Sequence, residues 1–135
     1  MRVVNLTAKP FFTRFGKDHD LSINEWRVLI ALANRGSMAA HEISALTGMD
    51  KMNVSRAVRR LAAKGRLERT ADTQDRRRSL CSLTEEGRRV YMAIAPNAKR
   101  RVTALFAGLS AAESEALSRL LAKLERTAEA LGPDD

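Results

Sequence analysis

The sequence contains a single cysteine, Cys81, few aromatic residues and no long apolar run. One cysteine excludes an internal disulfide framework and a zinc site built on cysteines. No window approaches the roughly 18 apolar residues that indicate a membrane-spanning helix. The first residues, MRVVNLTAKPFF, show neither an apolar signal core nor a small-residue cleavage site. These absences predict a cytoplasmic protein with no membrane partner.

The patterns that usually mark an enzyme are also missing from the sequence. No nucleophile is paired with a base, no glycine-rich loop could cradle a phosphate, and no residues stand at metal-ligand spacing. The two histidines, His19 and His41, are isolated from each other and from other ligand residues. We therefore expect no enzymatic activity, no metal and no cofactor.

Positive charge is what the chain has in excess, with a formal net charge of +8 over 135 residues. This length suits one domain with a real core. Residues 37–83 carry 10 basic and 5 acidic side chains, so this third of the chain holds most of the excess. Concentrated positive charge favours a polyanionic partner such as nucleic acid.

A helix-turn-helix is predicted between residues 40 and 64. The first helix covers about 40–47, with Ile43 and Leu46 inward, and a glycine-containing turn follows it. Asp50 is placed to cap the second helix, over about 51–64. That helix has an apolar stripe at helical spacing, formed by Val54, Ala57, Val58 and Leu61.

The helix before this motif begins with a capping box, Ser22-Ile23-Asn24-Glu25. Its apolar stripe consists of Trp26, Leu29, Ile30 and Ala33. Further upstream, we expect a helix that starts or breaks near Pro10 and ends at Gly16.

Two strands, Leu67–Thr70 and Ser79–Leu83, are predicted after Gly65, with the polar TADTQDRRR segment as the hairpin loop between them. Thr84 then caps a long helix, which we expect to be kinked at Pro96. A second capping box, Ser110 to Glu113, opens a last helix whose leucines between 117 and 131 form a packing seam. The order is that of an α+β, mostly α, winged helix-turn-helix with helical extensions at both ends.

Three segments carry a resemblance to a known family: SINEWRVLIAL, EISALTGMDKMNVSRAVRRLAAKGRLERTADTQDRRRSLCSLTEEGRRVY and LSAAESEALSRLLAKL. They resemble the MarR family of bacterial winged-helix transcription regulators. The DxRR wing followed by LTxxG is a specific combination. In one respect the chain departs from the family: Ala39 stands where a Thr or Ser often caps the first helix of the motif, so we expect Ser37 to cap it and the helix to start irregularly.

The resemblance implies a homodimer that binds pseudo-palindromic double-stranded DNA, usually as a repressor that a small aromatic or phenolic effector releases. It also implies a single MarR-type domain over 1–135. The DNA-binding lobe would cover about 22–86. The dimerisation helices would lie at the two ends of the chain, over about 1–20 and 87–131.

The outward face of the second helix is the predicted reader of bases. Arg56 lies opposite the apolar stripe and matches a family position that contacts bases, where its guanidinium can bind guanine O6 and N7. Asn53 is suited to adenine and Met52 to a thymine methyl group. Phosphate contacts are expected from Lys51, Ser55 and Arg60.

The wing supplies the other predicted contacts. In the family pattern that Asp75-Arg76-Arg77 matches, the arginine two residues after the aspartate enters the minor groove, whose negative potential attracts it. We expect the Asp75 carboxylate to hold the fork of Arg77 by a bidentate pair. Arg76 and Arg78 are expected to lie against phosphates.

An effector pocket, if there is one, is assigned to Phe11, Phe12, Phe15 and Trp26, although core or dimer packing also accounts for these aromatic residues. Two other functions stay open: a redox-responsive regulator acting through Cys81, and a winged helix that contacts only proteins. Cys81 alternates inward on its predicted strand, which favours a buried apolar role. The wing arginines argue against a module that contacts only proteins.

Overall fold

The structure of the protein is a computed structural model that describes residues 12–132. Within this range the chain divides into two compact units, one that ends at Ala98 and one that begins at Lys99. The predicted helix boundary at Pro10 lies outside the described residues. From Phe12 to Gly16 the backbone forms a short π-helical segment.

Three helices follow this segment: α1 (Ile23–Arg35), α2 (Ala40–Thr47) and α3 (Lys51–Ala63). Helix α3 begins because the Asp50 carboxylate accepts the N–H of Asn53 at 2.8 Å, which satisfies one of the free donors of its first turn. The predicted helix-turn-helix is therefore confirmed, with bounds within one residue of those expected.

A three-stranded antiparallel sheet, with strand order β1-β3-β2, completes the winged helix-turn-helix. The hairpin strands are β2 (Leu67–Ala71) and β3 (Ser79–Leu83), as predicted to within a residue. Strand β1 (Met38–Ala39) was not predicted, because two residues are too few to show an alternating pattern. Its partner residues on β3 are Leu80 and Cys81.

The core of the first unit collects the inward faces of α1, α2, α3 and β3 with the first turns of the next helix. The apolar stripe predicted for α3 is buried along its whole length. Among the fully buried side chains are Val28, Leu29, Ile43, Val54, Val58, Leu61 and Ile94. Because this core holds one face of α3, it leaves the opposite face to solvent.

Two long helices end the described chain: α4 (Glu85–Phe106), which continues through Pro96, and α5 (Ala111–Leu131). Thr84 Oγ1 accepts the N–H of Gly87 at 3.1 Å, as expected for a cap. The capping box of α5 is complete, since Ser110 Oγ accepts the N–H of Glu113 and the Glu113 carboxylate accepts the N–H of Ser110.

Four predictions about helix starts and faces are wrong, and one of them is the placing of Ala33 in the apolar stripe of α1, since Ala33 is exposed. Ser22 caps α1, but the Glu25 carboxylate turns into the protein to bond Lys64 and leaves the box half formed. Ala39, not Ser37, is the N-cap of α2, because pairing in β1 fixes its extended backbone and Glu42 Oε2 accepts its N–H at 2.6 Å. Leu46 is 47% exposed, since Ile43 is the residue that α2 buries.

Gly87 is the glycine of the LTxxG pattern, and close packing requires a glycine there. A Cβ atom at this position would lie 1.9 Å from the backbone oxygen of Arg66. The first turn of α4 therefore lies directly against the start of β2, at a distance that only glycine allows.

Candidate nucleic-acid interface

Helix α3 presents a basic, solvent-exposed face opposite its buried stripe. Lys51, Arg56 and Arg60 are exposed, and Met52 is 70% exposed. Ser55 is half-buried at the edge of this face. A helix of 13 residues that has cationic and apolar side chains on its exposed face has the dimensions and chemistry to enter a major groove.

Asn53 is oriented by the residue that caps the helix. Its Nδ2 donates to Asp50 Oδ2 at 2.6 Å, while its backbone N–H donates to Oδ1. These two bonds lower the pKa of Asp50 below its usual value, and the bond from the backbone N–H has the larger effect. One N–H and the oxygen of the Asn53 amide stay available, which are the two groups that adenine recognition requires.

The hairpin tip between β2 and β3 is held by its own backbone. The N–H of Asp72 donates to Arg78 O and the N–H of Arg78 to Asp75 O, each at 2.9 Å. Asp72 Oδ1 accepts the N–H of Gln74 at 2.9 Å, in an aspartate-capped turn. The arginines thus project from an ordered loop.

Asp75 braces Arg77 in a different way from that predicted. Its Oδ1 accepts the backbone N–H of Arg77 at 3.0 Å, so the carboxylate fixes the backbone and not the guanidinium fork. The reason is local: an aspartate side chain readily bonds the N–H two residues ahead of it. The Arg77 side chain remains exposed at the tip, as does that of Arg76.

Arg78 is not directed at solvent alone, because its Nη2 lies 3.5 Å from Glu42 Oε1 on α2. Both side chains are about two-fifths exposed. Nothing in the sequence around Glu42 marks it as a neighbour of the wing. Glu42 is the third residue of α2, where a glutamate can accept the N–H of the N-cap residue. This position accounts for its bond to Ala39 but not for its contact with Arg78.

Two of the aromatic side chains assigned to an effector pocket, those of Phe15 and Trp26, belong to the described part of the chain. Trp26 is 6% exposed and stacks on Tyr91, with ring centroids 5.6 Å apart and 23° between the planes. Phe15 is half-buried against the core. Phe11 lies outside the described residues, and so does the side chain of Phe12.

A cavity of about 360 Å³ lies beside the Trp26–Tyr91 stack. Its wall combines apolar groups, hydroxyls and one cation, a composition suited to small organic ligands. Its lining includes Leu32, Ser37, Ser82, Leu83, Arg88 and Tyr91. This cavity is a better candidate for an effector site than the buried ring of Trp26, and its lining residues are too far apart in the sequence to be recognised as one site.

Cys81 is 2% exposed on β3, as its inward alternation predicted. Burial raises the pKa of the thiol above its usual value, against the opposing effect of the nearby Arg69. Since the thiolate is the reactive form, this environment disfavours oxidation and alkylation.

Across residues 12–132, no group of three or more His, Cys, Asp or Glu side chains is arranged to hold a metal ion. Nor is any helix in this range both long and apolar enough to cross a membrane.

Comparison with known proteins finds the MarR family, whose model matches residues 19–78. The transcriptional regulator YkoM of Bacillus subtilis is 31% identical over 110 residues, which cover 82% of this chain and 71% of YkoM. The transcriptional repressor NicR of Pseudomonas putida is 29% identical over 107 residues, 79% of this chain and 68% of NicR. The chain spans from 62% to 75% of the length of such curated relatives.

Among solved structures, that of BpsR from Bordetella bronchiseptica superposes with a TM-score of 0.70 at 28% identity. The superposition covers 93% of this chain and 99% of BpsR. That structure concerns the regulation of the DNA binding of BpsR by 6-hydroxynicotinic acid.

Proposed function

The chain belongs to the MarR family of transcriptional regulators, and we propose that it binds a pseudo-palindromic DNA operator as a homodimer and represses transcription. The observation that carries this proposal is the pairing of an exposed basic face on α3 with an ordered arginine tip on the neighbouring hairpin. A regulator bound to a bacterial chromosome would work in the cytoplasm.

In the proposed complex, α3 lies in the major groove. Arg56 binds guanine O6 and N7, Asn53 binds adenine, and Met52 touches a thymine methyl group. Support comes from the exposure of Arg56 and Met52 and from the bond that orients the Asn53 amide. Phosphates are contacted at the ends of the helix by Lys51, Ser55 and Arg60.

The wing lies in a flanking minor groove, with Arg77 inserted and Arg76 against a phosphate. Asp75 does not touch DNA in this arrangement, because its carboxylate is engaged by the backbone N–H of Arg77. An ordered tip favours this use, since less conformational entropy is lost when it binds.

The partner in dimerisation is a second copy of the chain. In α5 no residue is buried, and Leu120, Leu121, Leu124 and Leu131 are between 50% and 65% exposed. A seam of this kind on one helix is a packing surface that lacks its partner in a single chain. With two protomers, the half-sites would lie about 10 bp apart, one helical turn.

The effector is proposed to be a small aromatic or phenolic molecule, by analogy with the regulation of BpsR by 6-hydroxynicotinic acid. The cavity beside Tyr91 supports this part of the proposal, because Arg88 can pair with an acidic group while Leu32 and Leu83 contact a ring.

Selection from a pool of randomised 30-bp duplexes tests the function. We expect enrichment of an inverted repeat with half-sites about 10 bp apart and A·T-rich flanks. A matched variant, Leu124→Glu, should be monomeric by light scattering and should lose preference for the repeat over a single half-site. A pool that shows no enrichment, with a folded parent protein, contradicts the proposal and favours a module that contacts only proteins.

A further inference from the structure

The turn formed by His19 and Asp20, just before α1, has an unusual backbone. Asp20 has a φ of 48° and is the one non-glycine residue with positive φ in the described range 12–132. This left-handed region is unfavourable for a residue with a Cβ atom, although aspartate tolerates it better than most. A residue stays in such a conformation when its surroundings hold it there.

Two cations hold this turn through its carbonyl oxygens. Lys64 Nζ donates to Asp20 O at 2.5 Å and lies 3.4 Å from the Asp20 carboxylate. Arg66 donates from Nη1 to Asp20 O at 3.0 Å and from Nη2 to His19 O at 2.6 Å. Hydrogen bonds from charged donors are the stronger kind, so two successive carbonyls are firmly bound.

Lys64 is itself fixed by a buried partner. Its Nζ lies 2.8 Å from Glu25 Oε2 on α1, and the Glu25 side chain is only 2% exposed. A buried carboxylate requires a cation nearby, because an unpaired charge in the interior is strongly unfavourable. The position of the Lys64 ammonium is therefore determined by α1 as well as by the turn.

The same turn thus contacts both DNA-reading elements. Lys64 is the C-cap of α3, the helix proposed for the major groove. Arg66 immediately precedes β2, the strand that leads to the wing tip. Both cations donate to carbonyls of one dipeptide. These bonds fix the end of α3 and the start of the hairpin relative to each other.

We propose that the His19–Asp20 turn is a positioning site that sets the spacing between α3 and the wing, and so determines how well both grooves are read at once. This inference rests on the proposed function. Base readout requires side chains held to within about half an ångström, whereas phosphate contacts tolerate displacement. The turn should therefore affect specific binding much more than non-specific binding.

Two substitutions at Asp20 separate the backbone from the carboxylate. Asp20→Gly removes the carboxylate and keeps the left-handed conformation, whereas Asp20→Val removes the same carboxylate and disfavours that conformation. On the duplex selected by the parent protein, we expect Asp20→Gly to bind within twofold of the parent. Asp20→Val should bind at least tenfold more weakly, with affinity for a scrambled duplex unchanged.

Hydroxyl-radical footprinting gives a readout that loss of stability alone would not change. The Asp20→Val complex, formed at saturating protein, should lose protection in the flanking minor grooves before it loses protection at the centre of each half-site. Folding of each variant is checked by circular dichroism at the binding temperature. A folded Asp20→Val protein with parental affinity and parental flank protection overturns the inference.

Arg66→Lys is the second variant, for use whether or not Asp20→Val folds. Lysine keeps the charge but has one nitrogen, so it cannot donate to both His19 O and Asp20 O through a two-pronged fork. We expect a three- to tenfold loss on the selected duplex and an unchanged salt dependence. Parental affinity and footprint for this variant would also overturn the inference, while a parent protein that selects no duplex would instead refute the proposed function.

Discussion

Arg78 of the wing faces Glu42 of α2, with 3.5 Å between Arg78 Nη2 and Glu42 Oε1. A cation already paired within the protein is a poorer candidate for a phosphate contact than a free one. The pair instead ties the wing to the first helix of the helix-turn-helix. This relationship gives Arg78 an alternative to the phosphate contact expected from the sequence, and the salt dependence of DNA binding distinguishes the two roles.

Each phosphate contact that is lost should reduce the slope of log K against log salt by about 0.9. We predict that Arg78→Ala leaves this slope unchanged and weakens binding by no more than about fivefold, since an exposed ion pair contributes about 0.2–1 kcal/mol. Glu42→Gln should behave likewise, because its amide oxygen can still accept the N–H of Ala39. Arg76→Ala is the matched control and should reduce the slope. A reduced slope for Arg78→Ala would restore that residue as a phosphate contact.

Arg56→Ala should weaken binding to the selected duplex by about 1–3 kcal/mol, because a bidentate contact to guanine is lost. It should also relax the base preference at one position of each half-site, which a second round of selection would detect. Arg77→Ala should weaken binding by a similar amount and should remove the preference for A·T pairs in the flanks of the site. Unchanged affinities for both variants would contradict the assignment of α3 and the wing as the DNA-reading elements.

Gly87→Ala should lower the free energy of unfolding by about 1–3 kcal/mol, as for overpacking elsewhere. An alanine normally stabilises a helix relative to glycine, but here its Cβ would meet the Arg66 oxygen at 1.9 Å. Urea unfolding at one fixed protein concentration measures the change. Gly108→Ala is the control, because nothing lies within 4 Å of the corresponding Cβ. Equal stability of the two variants would show that α4 can move away from β2 without loss of folding free energy.

Cys81 should be inert in the native protein. Its pKa is raised by burial, so native protein should react with iodoacetamide at least tenfold more slowly than urea-unfolded protein. Peroxide should leave the DNA affinity of the parent and of Cys81→Ser equally unaffected. A loss of binding in the parent alone would support the redox-responsive alternative.

The same pKa shift predicts a pH dependence of stability. Above the ordinary thiol pKa of about 8.5, the unfolded chain releases the Cys81 proton while the native state retains it, so stability should fall as the pH rises. Replacing Cys81 by alanine should reduce the loss in unfolding free energy between pH 7 and pH 9.5. An identical loss in both proteins would show that the thiol stays exposed enough to ionise.

Regular elements were predictable from the sequence because periodicity and caps are local signals. The stripe of α3, the Asp50 cap and the hairpin around residues 72–78 all follow from neighbours within a few positions. Two of the errors have the opposite character. Glu25 leaves its capping box for Lys64, 39 residues away, and Glu42 reaches Arg78, 36 residues away. Such contacts depend on the fold and leave no pattern in the sequence around either residue.

The candidate site divides in the same way. The exposed face of α3 follows from the buried stripe, so the residues proposed to read bases could be named from the sequence. The contact that Asp75 makes could not, because two donors, the backbone N–H and the guanidinium of Arg77, compete for one carboxylate. The cavity beside Tyr91 draws its wall from α1, β3 and α4, and only the folded chain brings these together.

The two aspartates of the wing tip have a kinetic consequence. Asp72 and Asp75 oppose three arginines within seven residues, so the tip carries little net charge and attracts distant DNA only weakly. Encounter is then governed by the basic face of α3, and the tip acts once the protein is already on the duplex. Changes at the tip should therefore alter the lifetime of the complex far more than the rate at which it forms.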